Sequence, residues 1–224
     1  FFFDFKKDIF VGLIHTRLSI IDLKKRSNQP FHFKDYIMIF NGEIYNYKEI
    51  RKILISKGYK FKTDSDTEVL IKSFDLWGDK AFSKFEGMWA LAIYNKKRGE
   101  FIISRDCFGE KPIYYFRSEK GIFFASNINS LLNLIDEKKQ INYSHIKRYL
   151  VNGYKSLYKS NETFFSNIKN FPKNSIISIN KNLEIKKKII WKPNIRINNN
   201  IKYDQAVSDI QEILINSVKH KLRS

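Results

Sequence analysis

Residues 88–106, MWALAIYNKKRGEFIISRD, place two apolar runs of strand length on either side of six polar residues, NKKRGE. Each run is too short for a buried helix and the connection allows only a return, so the segment reads as an antiparallel hairpin. Residues 113–126 repeat the device, with IYYF and GIFFAS joined by RSEK. Two successive hairpins impose an antiparallel sheet whose apolar faces must be covered. The covers are legible upstream. Tyr47 to Lys57 carries Ile50, Ile53 and Leu54 at helical spacing, with Gly58 beyond as a C-cap. A second helix is predicted to start at SDTEVL, where Ser65 and Glu68 have capping-box spacing, and to stop at Gly78 after Phe74, Leu76 and Trp77. Grouped strands and grouped helices, without strict alternation, give an α+β class with sheet packed on helix layers.

Around this frame the pattern is less even. Ile9 to Asp22 is strand-like, and HTRLSIID alternates so as to put His15, Arg17 and Ser19 on one face. Residues 23–35 are polar and turn-rich. Tyr36 to Phe40 is a short apolar run read as a buried strand that Asn41 and Gly42 break. Residues 163–191 add short strands, including SIISI and KKIIW. Asn198 to Asn200 reads as a linker. Beyond it Ala206, Val207, Ile210, Ile213, Leu214 and Val218 recur at helical spacing, with Asp204, Asp209 and Glu212 early and Lys219, His220, Lys221 and Arg223 late, as a helix dipole favours. This organisation predicts one domain over 1–190, then a linker and the first helix of another over 191–224.

Composition excludes several classes. With 43% hydrophobic and 16% aromatic residues in 224, the chain is too apolar to be disordered and long enough to bury a core. No run approaches the roughly 18 apolar residues of a membrane span. A single cysteine, Cys107, excludes a disulfide framework and fits a cytoplasmic home. The opening FFFDFKK, without an initiator Met, and the close KHKLRS predict truncation at both ends. The formal charge of +18 suggests nucleic acid. However, the positive residues form scattered lysine-rich clusters with no arginine stripe, and abundant Lys, Ile, Asn, Phe and Tyr together point to an AT-rich genome. No nucleic-acid or membrane partner is expected.

Three catalytic candidates fail on chemistry. His15, Ser19 and Asp22 have hydrolase-triad residue types, but neighbours on one extended strand cannot converge on one proton path. The histidines at 15, 32, 145 and 220 lack ligand spacing, so no metal site is expected. Cys107 would need a base that lowers its thiol pKa, and a lone loop cysteine is more often a packed residue.

NGEIYN, Asn41 to Asn46, is different. An Asn amide beside a Gly N–H supplies two donors for an oxyanion, glycine permits close approach, and Glu43 suits an ammonium group. By itself the stretch is equally an ordinary turn leading into a helix. Arg17 is a fork able to hold an α-carboxylate. Asp66 can accept from an α-ammonium, although its stretch also serves as a helix cap. Together these describe a free amino acid with a reacting side-chain carbonyl, a class that includes glutamine.

GLIHTRLSIIDL, IFNGEIYNY, SDTEVL, FEGMWALAIYN, SRDCFGEKPIYYF and FFASNINSLL, in this order, resemble the glutaminase domain of glutamine-hydrolysing asparagine synthetase, a class II glutamine amidotransferase. The likeness continues through TFFSNIKNFP and so covers nearly the whole chain. The resemblance implies an N-terminal-nucleophile αββα sandwich, two antiparallel sheets between helix layers. It implies that Arg17 binds the glutamine α-carboxylate, that Leu18, Ser19, Ile20 and Ile21 line the pocket, that Asn41 and Gly42 form the oxyanion hole, and that Glu43 and Asp66 hold the α-ammonium. The family's nucleophile is an N-terminal cysteine whose own α-amine serves as base; this chain begins with Phe1, so no nucleophile is assigned in it.

By the same resemblance, ammonia from glutamine would amidate aspartate at an ATP- and Mg2+-dependent synthetase domain outside this chain, in an enzyme of asparagine biosynthesis compatible with a homodimer. A related amidotransferase with another acceptor, as in carbohydrate biosynthesis, is the alternative, separated by sequence downstream of Ser224. A basic binding protein that keeps only the fold is the third reading, separated by the upstream sequence.

Overall fold

A computed structural model of the chain describes residues 1–222 except 7, 8, 19, 20, 136, 196, 198 and 199. The chain opens with a hairpin of β1 (Phe2–Lys6) and β2 (Ile9–Leu13), followed by β3 (Phe31–Phe33) and β4 (Tyr36–Ile44). Helices α1 (Tyr47–Ser56) and α2 (Asp66–Trp77) come next. The two sequence-predicted hairpins follow as β5 (Gly87–Asn95) with β6 (Glu100–Arg105), and β7 (Tyr114–Ser118) with β8 (Gly121–Ala125). Helices α3 (Ile128–Leu134) and α4 (Tyr143–Asn152) then precede β9 (Lys169–Asn170), β10 (Ser175–Ile179), β11 (Ile185–Ile189) and the terminal α5 (Tyr203–Lys221). No helix among the described residues is long and apolar enough to cross a membrane.

The larger sheet has the order β11-β10-β6-β5-β4-β3 and the smaller β8-β7-β9, with every registered pair antiparallel. Strand alternation sorts the core into layers. Met38, Phe40, Ile44, Trp89, Leu91 and Ile93 face α1 and α2, meeting Ile50, Leu54, Val69, Leu70 and Phe74. Ala90, Ala92, Ile103 and Ile179 face the second sheet, where Ile113, Phe171, Tyr115 and Phe124 meet them. Phe116 turns to the far side of the smaller sheet and packs with Leu131 of α3, Ile135 and Ile168. The order of layers is therefore helix, sheet, sheet, helix, the αββα sandwich expected from the sequence.

Four local expectations change. The strand expected over 9–22 ends at Leu13, because β2 finds its partner in β1, which the sequence did not signal, and residues 14–18 have no sheet partner. β4 does not break at Asn41–Gly42 but runs on to Ile44, with Asn41, Gly42 and Glu43 opposite Ala90, Trp89 and Met88. Two glycines make this extension feasible: a Cβ on Gly42, at φ 154°, would collide with the Met88 carbonyl, and a Cβ on Gly87 would collide with that of Glu43. The capping box is half formed. Ser65 Oγ accepts from Thr67 N–H at 3.0 Å, but Glu68 turns to Lys62 N–H and Thr63 N–H instead of Ser65. Helices α3 and α4 were not anticipated. Of the expected linker, Asn198 and Asn199 lie outside the described residues, while α5 forms as its periodicity predicts and buries none of its residues.

Candidate active site on the open edge of β4

β3 pairs with β4 only as far as Met38, which leaves the edge of β4 beyond that point without a strand neighbour. Unpaired backbone groups on such an edge need partners, and side chains from elsewhere in the chain supply them. Gln29 acts as a substitute strand: its amide oxygen accepts from Phe40 N–H at 2.5 Å, and its Nε2–H donates to Phe40 O at 3.0 Å. His15 Nε2–H donates to the same carbonyl at 3.1 Å. Burial, reinforced by the charge of Arg17, lowers the His15 pKa against that bond, which favours the neutral ring. Its Nδ1 is buried without a partner among the described residues.

Four residues along, Ile44 N–H donates to Asp66 Oδ2 at 3.1 Å. Alternation puts the Gly42 N–H on the same edge, between the groups of Phe40 and Ile44. On the other edge Asp106 closes β5, accepting from Trp89 N–H at 3.2 Å and returning its own N–H to Trp89 O at 2.9 Å. The Asp106 carboxylate also gathers the N–H groups of Phe108, Gly109, Glu110 and Lys111, fixing that loop beside β5. Asn41 and Glu43 occupy alternate positions of β4 and share one face, both half-buried.

Asp66 is the first residue of α2 and is 5% exposed. Burial pushes its carboxyl up to about 6, the charge of Glu43 adds to the rise, and the Ile44 and Thr67 N–H groups oppose it. A negative field covers this end of β4: after burial, Glu110, Glu43 and Asp106 raise the Tyr45 phenol. Two acids near each other, one with its carboxyl raised by burial and further by its neighbour's charge, are a natural receptor for a cation.

Arg17 is half-buried and spends its fork on its own loop. Nη2 donates to Ile21 O at 2.8 Å and Asp22 O at 2.5 Å, and Nη1 to Lys24 O at 3.2 Å and Asn28 Oδ1 at 3.3 Å. Leu18 is 84% exposed, Ile21 packs against the helix-layer core, and Ser19 and Ile20 lie outside the described residues. The Arg17 loop is tied to the Asp66 segment by Asp64 N–H, which donates to Asp22 Oδ2 at 2.8 Å.

Residues far apart in sequence thus meet through three bonded junctions: residues 15–29 with Phe40, residues 22 with 64, and Asp66 with Ile44. There are two depressions of about 400 Å³, one lined by Phe33, Lys34 and Lys57–Lys60, the other by Tyr47, Lys48, Arg51, Lys52, Ile55 and Asp64, the last a member of the 22–64 junction. Cys107 is half-buried, and burial with the Asp106 charge raises its thiol pKa, the wrong direction for a nucleophile. Among the described residues no group of three or more His, Cys, Asp or Glu side chains is arranged to hold a metal ion. The roles of Gln29, His15 and Asp22 as ties were missed in the sequence. His15 and Asp22, opening and closing HTRLSIID, gave some signal there, and Gln29 gave none.

A family model described as a glutamine amidotransferase domain matches residues 4–190. The chain is 34% identical over 219 residues to asparagine synthetase [glutamine-hydrolyzing] 1 of Bacillus subtilis, an alignment covering 97% of this chain and 34% of that protein. It is 30% identical over 249 residues to putative asparagine synthetase [glutamine-hydrolyzing] 2 of Methanocaldococcus jannaschii, covering 100% of this chain and 46% of that one. The chain therefore spans between a third and a half of the length of these curated relatives. Among solved structures, glutamine phosphoribosylpyrophosphate amidotransferase from B. subtilis superposes with a TM-score of 0.56 at 18% identity, over 80% of this chain and 34% of that chain, a likeness of fold.

Proposed function

Since the chain belongs to the glutamine amidotransferase domain family, we propose that the open edge of β4 binds glutamine and stabilises the breakdown of its side-chain amide. The observation that supports this reading is the set of junctions that ties the loop carrying Arg17 to Phe40 and to Asp64, and Asp66 to Ile44. Arg17 takes the α-carboxylate, exchanging some of its carbonyl partners for a charged, two-pronged one. Leu18 and Ile21 border that end. Glu43 and Asp66 take the α-ammonium, whose arrival favours the ionised form of Asp66. The Asn41 side-chain amide and the Gly42 N–H donate to the amide oxygen as it becomes an alkoxide, where two fixed donors are worth more than in water. His15 and Gln29 hold the Phe40 carbonyl, one peptide before the Asn41–Gly42 link that carries the Gly42 N–H.

The asparagine synthetase relatives extend the proposal to the whole protein: ammonia released here would amidate aspartate, with ATP and Mg2+ bound by a synthetase domain outside this chain, in the cytoplasm. The organisation fits, with residues 1–190 as the amidotransferase unit and 191–224 leading into the next, because α5 presents Ile210, Ile213, Leu214 and Val218 to solvent. Expressed from the complete reading frame, the protein should hydrolyse glutamine. Arg17→Ala should chiefly raise KM and Asn41→Ala chiefly lower kcat, by about a hundredfold for loss of one oxyanion donor. Negligible effects of both substitutions in steady-state assays overturn the assignment.

A further inference from the structure

We propose that Asp22 is a positioning residue that locks the carboxylate-binding and ammonium-binding ends of the site into one unit, so that filling one end prepares the other. The proposal rests on the glutamine reading above.

Asp22 lies between the two ends and is bonded toward each. Its backbone is left-handed at φ 51°, a conformation that Asp and Asn tolerate better than most residues. Its carbonyl accepts from Arg17 Nη2, while its side chain accepts from Asp64 N–H at 2.8 Å through Oδ2 and from Lys24 N–H at 3.1 Å through Oδ1. One residue therefore holds the guanidinium through its main chain and the start of the α2 cap through its side chain. From Asp64 the path is short: Ser65 caps α2, and Asp66 reaches Ile44 N–H. A carboxylate that draws Arg17 off the Asp22 carbonyl thus acts on the residue that sets where Asp64, and with it Asp66, stands.

The load falls on the inner bond. The Asp22 side chain is 3% exposed, whereas Arg26, which bridges Asp22 at 3.1 Å and Asp64 at 2.8 Å, is 40% exposed and the Asp64 side chain 78%. Solvent screens that outer pair, and it contributes little. Although burial alone would raise the Asp22 pKa, the Asp64 and Lys24 N–H groups outweigh it and, with Arg26, hold the carboxyl at about 2, so the tie is charged throughout the working range.

The test is calorimetric binding by this chain of four ligands: L-glutamine, glutaramic acid without the α-ammonium, 4-aminobutanamide without the α-carboxylate, and butanamide without either. Asp22→Asn keeps the backbone conformation and the volume but removes the charge. It should weaken glutamine by about tenfold or more, while the three ligands lacking a head group change by about twofold or less. Arg26→Gln should leave all four within about twofold. Independently of any variant, glutamine should slow hydrogen exchange at the Asp64 amide of the wild type, and neither single-headed ligand should do so to the same extent. Equal weakening of all four ligands by Asp22→Asn, or exchange at Asp64 indifferent to glutamine, overturns the coupling role while leaving the site in place. A wild type that binds glutamine no better than butanamide overturns the glutamine reading, and the coupling with it.

Discussion

Replacing Asp66 by Asn should stabilise the ligand-free protein while destroying its affinity for an α-ammonium group, and the stability gain should appear only over a defined pH range. Asp66 is 5% exposed, and burial with the Glu43 charge lifts its carboxyl from an ordinary 3.8 to about 6. A raised folded-state pKa means that the native state holds the proton more tightly than the unfolded chain does. Native stability is therefore full below the unfolded value, declines as pH rises between about 4 and about 6, and is level above that. The total decline due to this one group is about 3 kcal/mol. Asn cannot ionise, so its variant escapes the decline, but it keeps one acceptor oxygen for the Ile44 and Thr67 N–H groups and gives back about 1 kcal/mol through the poorer bonds. Urea unfolding of both proteins at pH 4, 5, 6 and 7.5 should show the variant gaining on the wild type up to pH 6, to a final advantage of about 2 kcal/mol, then running parallel. A difference that stays flat between pH 4 and 6 refutes the assignment of a strained, buried acid. A glutamine affinity that survives the substitution refutes instead the role of Asp66 at the α-ammonium.

Three further outcomes follow from neighbouring packing. Glu68 and Lys72 are paired at 2.5 Å with side chains 3% and 4% exposed, so Glu68→Gln should cost about 3 kcal/mol in urea unfolding by leaving the charge of a buried ammonium uncompensated, with the Lys60 carbonyl and the Phe33 and Phe61 rings beside it, and combining it with Lys72→Met should cost less than the two single changes added together. Because the Glu68 carboxyl, despite its burial, is held below its ordinary pKa by Lys72, Thr63 and Lys62, that stability is present above about pH 4 and disappears as pH falls through the lower folded value. Gly42→Ala should lower stability by about 3 kcal/mol, since its Cβ meets the Met88 carbonyl and the Trp89 Cα, and it should abolish turnover even at temperatures where the variant remains folded.

How much of this arrangement can be read from sequence depends on the range of the interaction that produces it. The β5–β6 and β7–β8 hairpins and the ends of α1 and α2 are specified by residues within a few positions of one another, and all six elements fall where strand length, turn chemistry and glycine C-caps place them. Gly58 at φ 88° and Gly78 at φ 56° terminate the two helices as their sequence positions indicate. The end of β4 behaves differently. Asn-Gly is a local turn signal, but it is overridden by Gly87, more than forty residues away, whose missing Cβ lets β5 follow β4 through Glu43. Local propensity lost to a long-range steric fit that only the paired strands express.

The same distinction decides how the two meanings of Asn41–Gly42 fit together. If the dipeptide were an ordinary turn, its donors would point wherever the turn left them. Held in a strand, they project from an edge whose geometry is fixed by Trp89 and Asp106 on one side and by Gln29, His15 and Asp66 on the other. Glycine at 42 thus answers one constraint directly, since β5 needs an absent side chain there, and on the proposed function it answers a second, an N–H offered to an approaching substrate. Neither constraint is visible in NGEIYN alone. The first is written at Met88 and Gly87, and the second at Arg17 and Asp66. A stretch of six residues can suggest a chemistry and still mislead about structure, because the chemistry is suggested by the side chains it displays, whereas its conformation is set by strands that arrive later in the chain.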